Sequence, residues 1–214
     1  MRWWAKGAGI FDDATSGLKM NDRLLRALQR IDDDNRNDPS IEIVDDRPCP
    51  KALQYGMRMT EWLHRLDAEP SEALQIAARG QHIGRWKVPR TSFPPTRAGY
   101  LAWRTRLYGF HAEQLSILLR EEGYEDGFIE HVARIVSKKG LKQDPDVQRI
   151  EDVACLVFLS YEFAPFAASQ PREKVVEIVR KTWNKMSERG HVLALQLPFP
   201  DPIQALLARA LGAS

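Results

Sequence analysis

Three residues spread along the chain carry side chains able to hold a metal ion: His82, His111 and Asp152, with Glu151 beside the last. Imidazole nitrogens and carboxylate oxygens supplied by separate helices are how helical bundles build divalent-metal sites. A metal held that way lowers the pKa of a bound water and makes it a nucleophile toward a phosphate ester. Cations cluster near the histidines at Arg79, Arg85, Lys87, Arg90, Arg97 and Arg104, and again farther on at Lys138, Lys139 and Lys142. Guanidinium forks match phosphate oxygens, and lysines act as mobile point charges. The resulting expectation has His82, His111 and Asp152 on a divalent metal ion and Arg79, Arg104 and Glu151 in catalysis. Gln81, Arg85, Trp86, Lys138 and Lys139 would hold a phosphorylated small molecule or nucleotide. The competing reading makes the histidines and Asp152 satisfied core groups. The arginines would then pair with acids such as Glu61, Glu72 and Glu113.

These residues need helices to position them. Pro70 and Ser71 read as the start of a helix whose Ala73, Leu74, Ile76, Ala77 and Ala78 leave little room for a polar face. It is expected to run buried as far as Gly84, which can serve as its C-cap. A long helix from Ala98 to Glu122 carries His111. Asp144 and Pro145 open a second buried helix through Phe163, with Glu151 and Asp152 just before its most apolar stretch, VACLVFL. Amphipathic helices at about 21–31, 51–66, 126–138, 171–186 and 203–211 complete the pattern. Residues 40–50 read as a loop with a short extended piece at Ile41–Val44, and no alternating strand pattern stands out. Pro89, Pro94 and Pro95 stiffen the loop from Lys87 to Thr96. The expected fold is all-α: one compact domain over residues 20–214, with two buried helices wrapped by amphipathic ones. Residues 1–19 read as a disordered or mis-assigned leader, with Met20 a natural first residue.

The composition bounds the function. At 214 residues the chain suits one domain with a substantial core. A net charge of +2 gives no bulk attraction to nucleic acid or an anionic membrane, so phosphate recognition must be local. No apolar run is long enough to span a bilayer. The two cysteines, Cys49 and Cys155, form no disulfide framework, which fits a reducing cytoplasm. Cys155 lies in an apolar run, where a thiolate is disfavoured. Trp62, Trp86, Trp103 and Trp183 could stack on a base, although core packing accounts for them more simply.

The segments AARGQHIGRW, FHAEQLSILLREEGY, FIEHVARIVSKKGL and QRIEDVACLVFL resemble, in order, the HD-domain metal phosphohydrolases. That resemblance implies an HD-like fold and metal-assisted hydrolysis of phosphate esters. It sets His82 at the histidine of the His-Asp doublet, His111 at the later histidine and Asp152 at the final aspartate. Two positions depart from the pattern. Ile83 replaces the doublet's aspartate, and Tyr55 and Gly56 stand where the first histidine belongs. The departures favour an alternative: a non-catalytic binding or interaction module that kept the fold without the metal. More extensively, RMTEWL, SEALQIAARGQHIGRW, PRTSFPPTRAGYLAWRTRLYGFHAEQL and KTWNKMSERG resemble the signature blocks of an uncharacterised family, domain-of-unknown-function family 4202. Nothing about activity follows from that resemblance. His82-Ile83-Gly84-Arg85 and Lys185-Met186-Ser187 echo the two nucleotide-binding signatures of class I aminoacyl-tRNA synthetases. Those signatures belong on an α/β fold that this chain does not suggest, so a synthetase relationship is a remote alternative.

Overall fold

A computed structural model describes residues 22–211. The expected leader, residues 1–19, and Met20 lie outside the described residues. Among the described residues ten α-helices follow one another: α1 (Asp22–Asn35), α2 (Lys51–Leu66), α3 (Glu72–Arg79), α4 (Arg97–Glu121), α5 (Asp126–Val136), α6 (Pro145–Val157), α7 (Phe163–Ser169), α8 (Arg172–Trp183), α9 (Glu188–Leu195) and α10 (Asp201–Leu211). The fold is all-α and a single domain, as the helical periodicities imply.

The two helices read as buried are buried. Helix α3 opens where expected, Ser71 Oγ accepting a hydrogen bond from the Leu74 N–H at 3.3 Å. It lies among α1, α2, α5 and α6, with Leu74, Ile76, Ala77 and Ala78 sealed from solvent. Gly56 lets α2 cross it closely, because a Cβ there would sit 2.7 Å from the Arg79 carbonyl oxygen. Helix α6 is capped by the Asp144 side chain, which accepts from the Asp146 and Val147 N–H groups. It packs on α2, α3, α5 and α9.

Three boundaries differ from the sequence reading. First, α3 ends at Arg79, a turn earlier than expected. Gly80 takes the C-cap, and α4 presses on it so closely that a Cβ would meet Leu115 Cδ2 at 2.6 Å. Residues 81–84 are therefore a turn, and Gly84, at φ 62°, leads into a 3₁₀ turn over Arg85–Lys87. Secondly, the helix expected from 144 to 163 widens into a π-helical turn over Phe158–Glu162 before α7. Pro165 explains it: proline offers no N–H to the carbonyl of Tyr161 and its ring crowds that carbonyl. Thirdly, residues 41–50 form a hairpin, β1 (Ile41–Val44) paired antiparallel with β2 (Arg47–Pro50). Asp45 and Asp46, at φ 48° and 62°, make a tight turn with both central residues left-handed.

Candidate functional site

The turn that follows α3 is fixed from three sides. Gln81 is buried and donates through Nε2 to the Val136 carbonyl at 3.3 Å. The His82 ring lies flat on Tyr55 of α2, centroids 3.6 Å apart and planes 16° off parallel. The Ile83 carbonyl accepts from His111 Nδ1 at 2.8 Å. That bond puts the proton on Nδ1, so His111 Nε2 carries the lone pair, and it is buried without a partner. Burial lowers the His111 pKa to about 4, although the Ile83 bond pulls the other way. Burial, then the charge of Arg85, holds His82 well below the ordinary histidine value. Both imidazoles are neutral at pH 7.

His82 and Arg85 open onto a cleft of about 580 Å³. Its walls come from the hairpin and the start of α2 (Glu42, Lys51, Tyr55, Arg58), from the turn after α3 with Trp86, from Trp103 of α4, and from Tyr161 and Glu162 of the π turn. Most charges there are already matched. Arg58 pairs with Glu42 at 3.1 Å and lies over the Tyr161 ring at 4.4 Å. Arg90 donates to the Phe93 and Pro94 carbonyls, each at 2.8 Å, and holds its own loop. Asp38 accepts from the Ala52 N–H at the start of α2, at 3.0 Å. Arg85 differs. Its guanidinium lies over the Trp103 ring at 4.8 Å, and Trp103 is held by its indole N–H donating to the Val88 carbonyl at 2.9 Å. No hydrogen bond or ion pair to a described residue engages Arg85, and burial lowers its pKa. A half-buried guanidinium braced on an indole, with no ion pair to a described carboxylate, has the chemistry to accept an anion.

The metal set expected from the sequence does not assemble. The His82 and His111 ring centroids are 6.0 Å apart, with planes tilted by 36°. Asp152 is turned to α9, where it accepts from Ser187 N at 2.7 Å, from Ser187 Oγ at 2.6 Å and from Gln148 Nε2 at 3.0 Å. Glu151 pairs with Lys138 at 2.5 Å and Lys185 at 3.3 Å. Burial raises the Glu151 pKa, and the two lysines outweigh that and hold it below the ordinary glutamate value. Glu113 is exposed on α4. Among the described residues no group of three His, Cys, Asp or Glu side chains is placed to hold a metal ion. The donors present do not fit a divalent ion.

The remaining expectations divide. Arg79 is in an ion pair with Asp32 at 2.8 Å and donates to Thr60 Oγ1 at 3.3 Å, so it belongs to the α1–α2–α3 contact and not to the cleft. Arg104 donates to the Tyr100 and Tyr108 hydroxyls on its own helix. Gln81 and Lys138 are tied up in the core contacts above, and Lys139 is exposed beyond the cleft walls. Arg85, Trp86 and His82 do line the cleft. The tryptophans divide as well: Trp62 is core and Trp183 stacks on His191 at 3.9 Å, while Trp86 and Trp103 face the cleft. Cys155 is a core residue, its thiol pushed up to about 12 by burial. The synthetase-like tetrapeptide and tripeptide both fall in turns between helices, and the only sheet among the described residues is the antiparallel hairpin.

Sequence reasoning missed Tyr55, Arg58 and Glu162. Tyr55 was readable, since it stands where the HD pattern has its first histidine, and it meets His82 through its ring. Glu162 was signalled by Pro165, which disturbs the helix one turn upstream.

The chain matches the model of a family described as a domain of unknown function (DUF4202) over residues 25–207. Comparison with curated proteins found no match, and comparison with solved structures found none. No helix among the described residues is long and apolar enough to cross a membrane. The family match spans nearly all of the described helices, α2 to α9 in full, and the chain belongs to the DUF4202 family.

Proposed function

We propose that the protein binds a phosphorylated small molecule, a nucleotide among the candidates, in the cleft between α2, the turn after α3, α4 and the π turn. The observation that carries the reading is Arg85: a guanidinium in a cleft, braced on Trp103, with no ion pair to a described carboxylate. A fork of that kind takes two phosphate oxygens at once. The half-buried setting strengthens the pair relative to one in open water. Trp86 offers ring surface at the same cleft to the rest of the ligand. The reading is that of a binding module. Metal-assisted hydrolysis, which the likeness to HD phosphohydrolases implies, would need a donor set that Asp152 and Glu151 do not supply, because both are engaged elsewhere.

Thermal denaturation with a panel of nucleotides and sugar phosphates tests the proposal. A cleft ligand raises the midpoint of the wild type in proportion to the logarithm of its concentration. Arg85→Ala, which breaks no hydrogen bond or ion pair to a described residue, should lose the ligand-dependent rise measured from its own unliganded midpoint. A rise of equal size in the variant would overturn the assignment.

A further inference from the structure

The charges left over in the cleft have two signs. Besides Arg85, Glu162 carries a carboxylate that no hydrogen bond or ion pair to a described residue engages. It ends the π turn, whose widened backbone directs this segment to the cleft while Phe163, the next residue, goes fully into the core. Although Glu162 as a whole residue counts as exposed, partial desolvation at the cleft wall raises its pKa, and Arg85 is the foremost charge pulling it back down. The two groups therefore sense each other across the same space. Yet no ion pair joins them, because Arg85 is held on Trp103 and Glu162 is held by the helix. The other cation acting on Glu162, Arg58, is already occupied by Glu42 and Tyr161.

Opposite charges that share a partly desolvated cleft would gain by meeting if their supports allowed it. Keeping them apart leaves each waiting for a counter-charge, and a ligand with one group of each sign satisfies both. We propose that the ligand carries an amine, or an equivalent N–H donor, as well as its phosphate. The phosphate meets Arg85 and the donor meets Glu162. The inference rests on the phosphate-binding reading above and narrows it to amine-bearing phosphate esters, away from nitrogen-free ones. It gives Glu162 a specificity role that charge counting along the sequence does not reveal. Lys51, on the same cleft, cannot produce the preference, because its charge attracts the phosphate of either ester and repels the amine.

A matched pair of probes tests it: glucosamine 6-phosphate against glucose 6-phosphate, titrated calorimetrically into the whole chain. Their phosphates are the same, and they differ in one substituent. The wild type should bind the amine-bearing ester about tenfold more tightly, the scale of one charge-assisted contact in a half-open cleft. Glu162→Gln, which keeps size and removes charge, should bind both esters alike. Arg85→Ala should weaken both together. Equal binding of the two esters by the wild type, with Arg85→Ala still weakening both, would overturn this inference and leave the phosphate reading standing. A preference that survives in Glu162→Gln would overturn it as well. Absence of binding of either ester would remove both readings for this ligand class.

Discussion

Replacing Asp152 separates a structural carboxylate from a metal ligand. Asp152 is 2% exposed, and its two oxygens receive three hydrogen bonds. Two come from Ser187, whose backbone N–H and hydroxyl bind opposite oxygens at 2.7 and 2.6 Å. Ser187 is in turn the N-cap of α9, its Oγ accepting from the Gly190 N–H at 3.2 Å. Gly190 lies so close that an added Cβ would touch Asp152 Cγ at 3.0 Å. The carboxylate thus pins the start of α9 to the middle of α6. Asp152→Ala leaves both Ser187 donors without their acceptor, while Gln148 keeps the Lys185 carbonyl at 2.8 Å. Hydrogen bonds to a charged group contribute about 1.5–3 kcal/mol each, so two lost in a buried setting cost roughly 3–6 kcal/mol. Asp152→Asn keeps one acceptor oxygen and should cost about 1–2 kcal/mol. Urea unfolding at pH 7 measures both, with α9 amide exchange as the local readout. A loss below about 1 kcal/mol for Asp152→Ala would refute the reasoning. So would a wild type that a chelator destabilises by as much as the substitution does.

Three further outcomes follow from the same geometry. Folded His111 resists protonation down to about pH 4, whereas the unfolded side chain takes its proton near 6.5. The unfolded state then holds more protons in that window, so stability should fall as the pH drops from 6.5 toward 4, by up to about 3 kcal/mol, and His82 adds in the same direction. Urea midpoints between pH 7 and 4 should trace that limb, and His111→Gln should flatten part of it. Glu151→Ala strands the mostly buried Lys138 ammonium and should destabilise by about 3 kcal/mol, with Glu151→Leu/Lys138→Met recovering much of the loss in denaturant titration. Gly56→Ala drives a methyl against the Arg79 carbonyl and should lower stability by roughly 1–3 kcal/mol, read as a fall in thermal midpoint without loss of helical signal.

The architecture was more legible than the site, for physical reasons that differ by element. Helix α2 follows from its apolar spacing, and the starts of α3 and α6 follow from Ser71 and Asp144, because caps and 3.6-residue periodicity are local properties. The end of α3 is not legible in the sequence because Gly80 and Gly84 can each stop a helix. What decides between them is Leu115, 35 positions from Gly80, pressing on the backbone. Helix α9 went unread because Gly190 looks like a terminator, when it is instead the small residue that admits Asp152. Only one strand of the hairpin is legible in the sequence, since the second, RPCP, has no alternation to show. At the site, residue types pointed to His82, Arg85 and Trp86, and these do share the cleft. The same logic could not tell that Asp152 faces Ser187, or that Arg79 faces Asp32, because partner choice is made by the tertiary packing of helices that no local pattern orients.

The central claim is that Arg85 receives the phosphate of a small-molecule ligand. Its most direct test is calorimetric titration of a nucleoside monophosphate into the wild type and into Arg85→Ala. Saturable one-to-one binding that weakens by roughly 10- to 100-fold in the variant, the effect of losing one bidentate charge-assisted contact, is the expected result. Equal affinity for the two proteins would contradict the account.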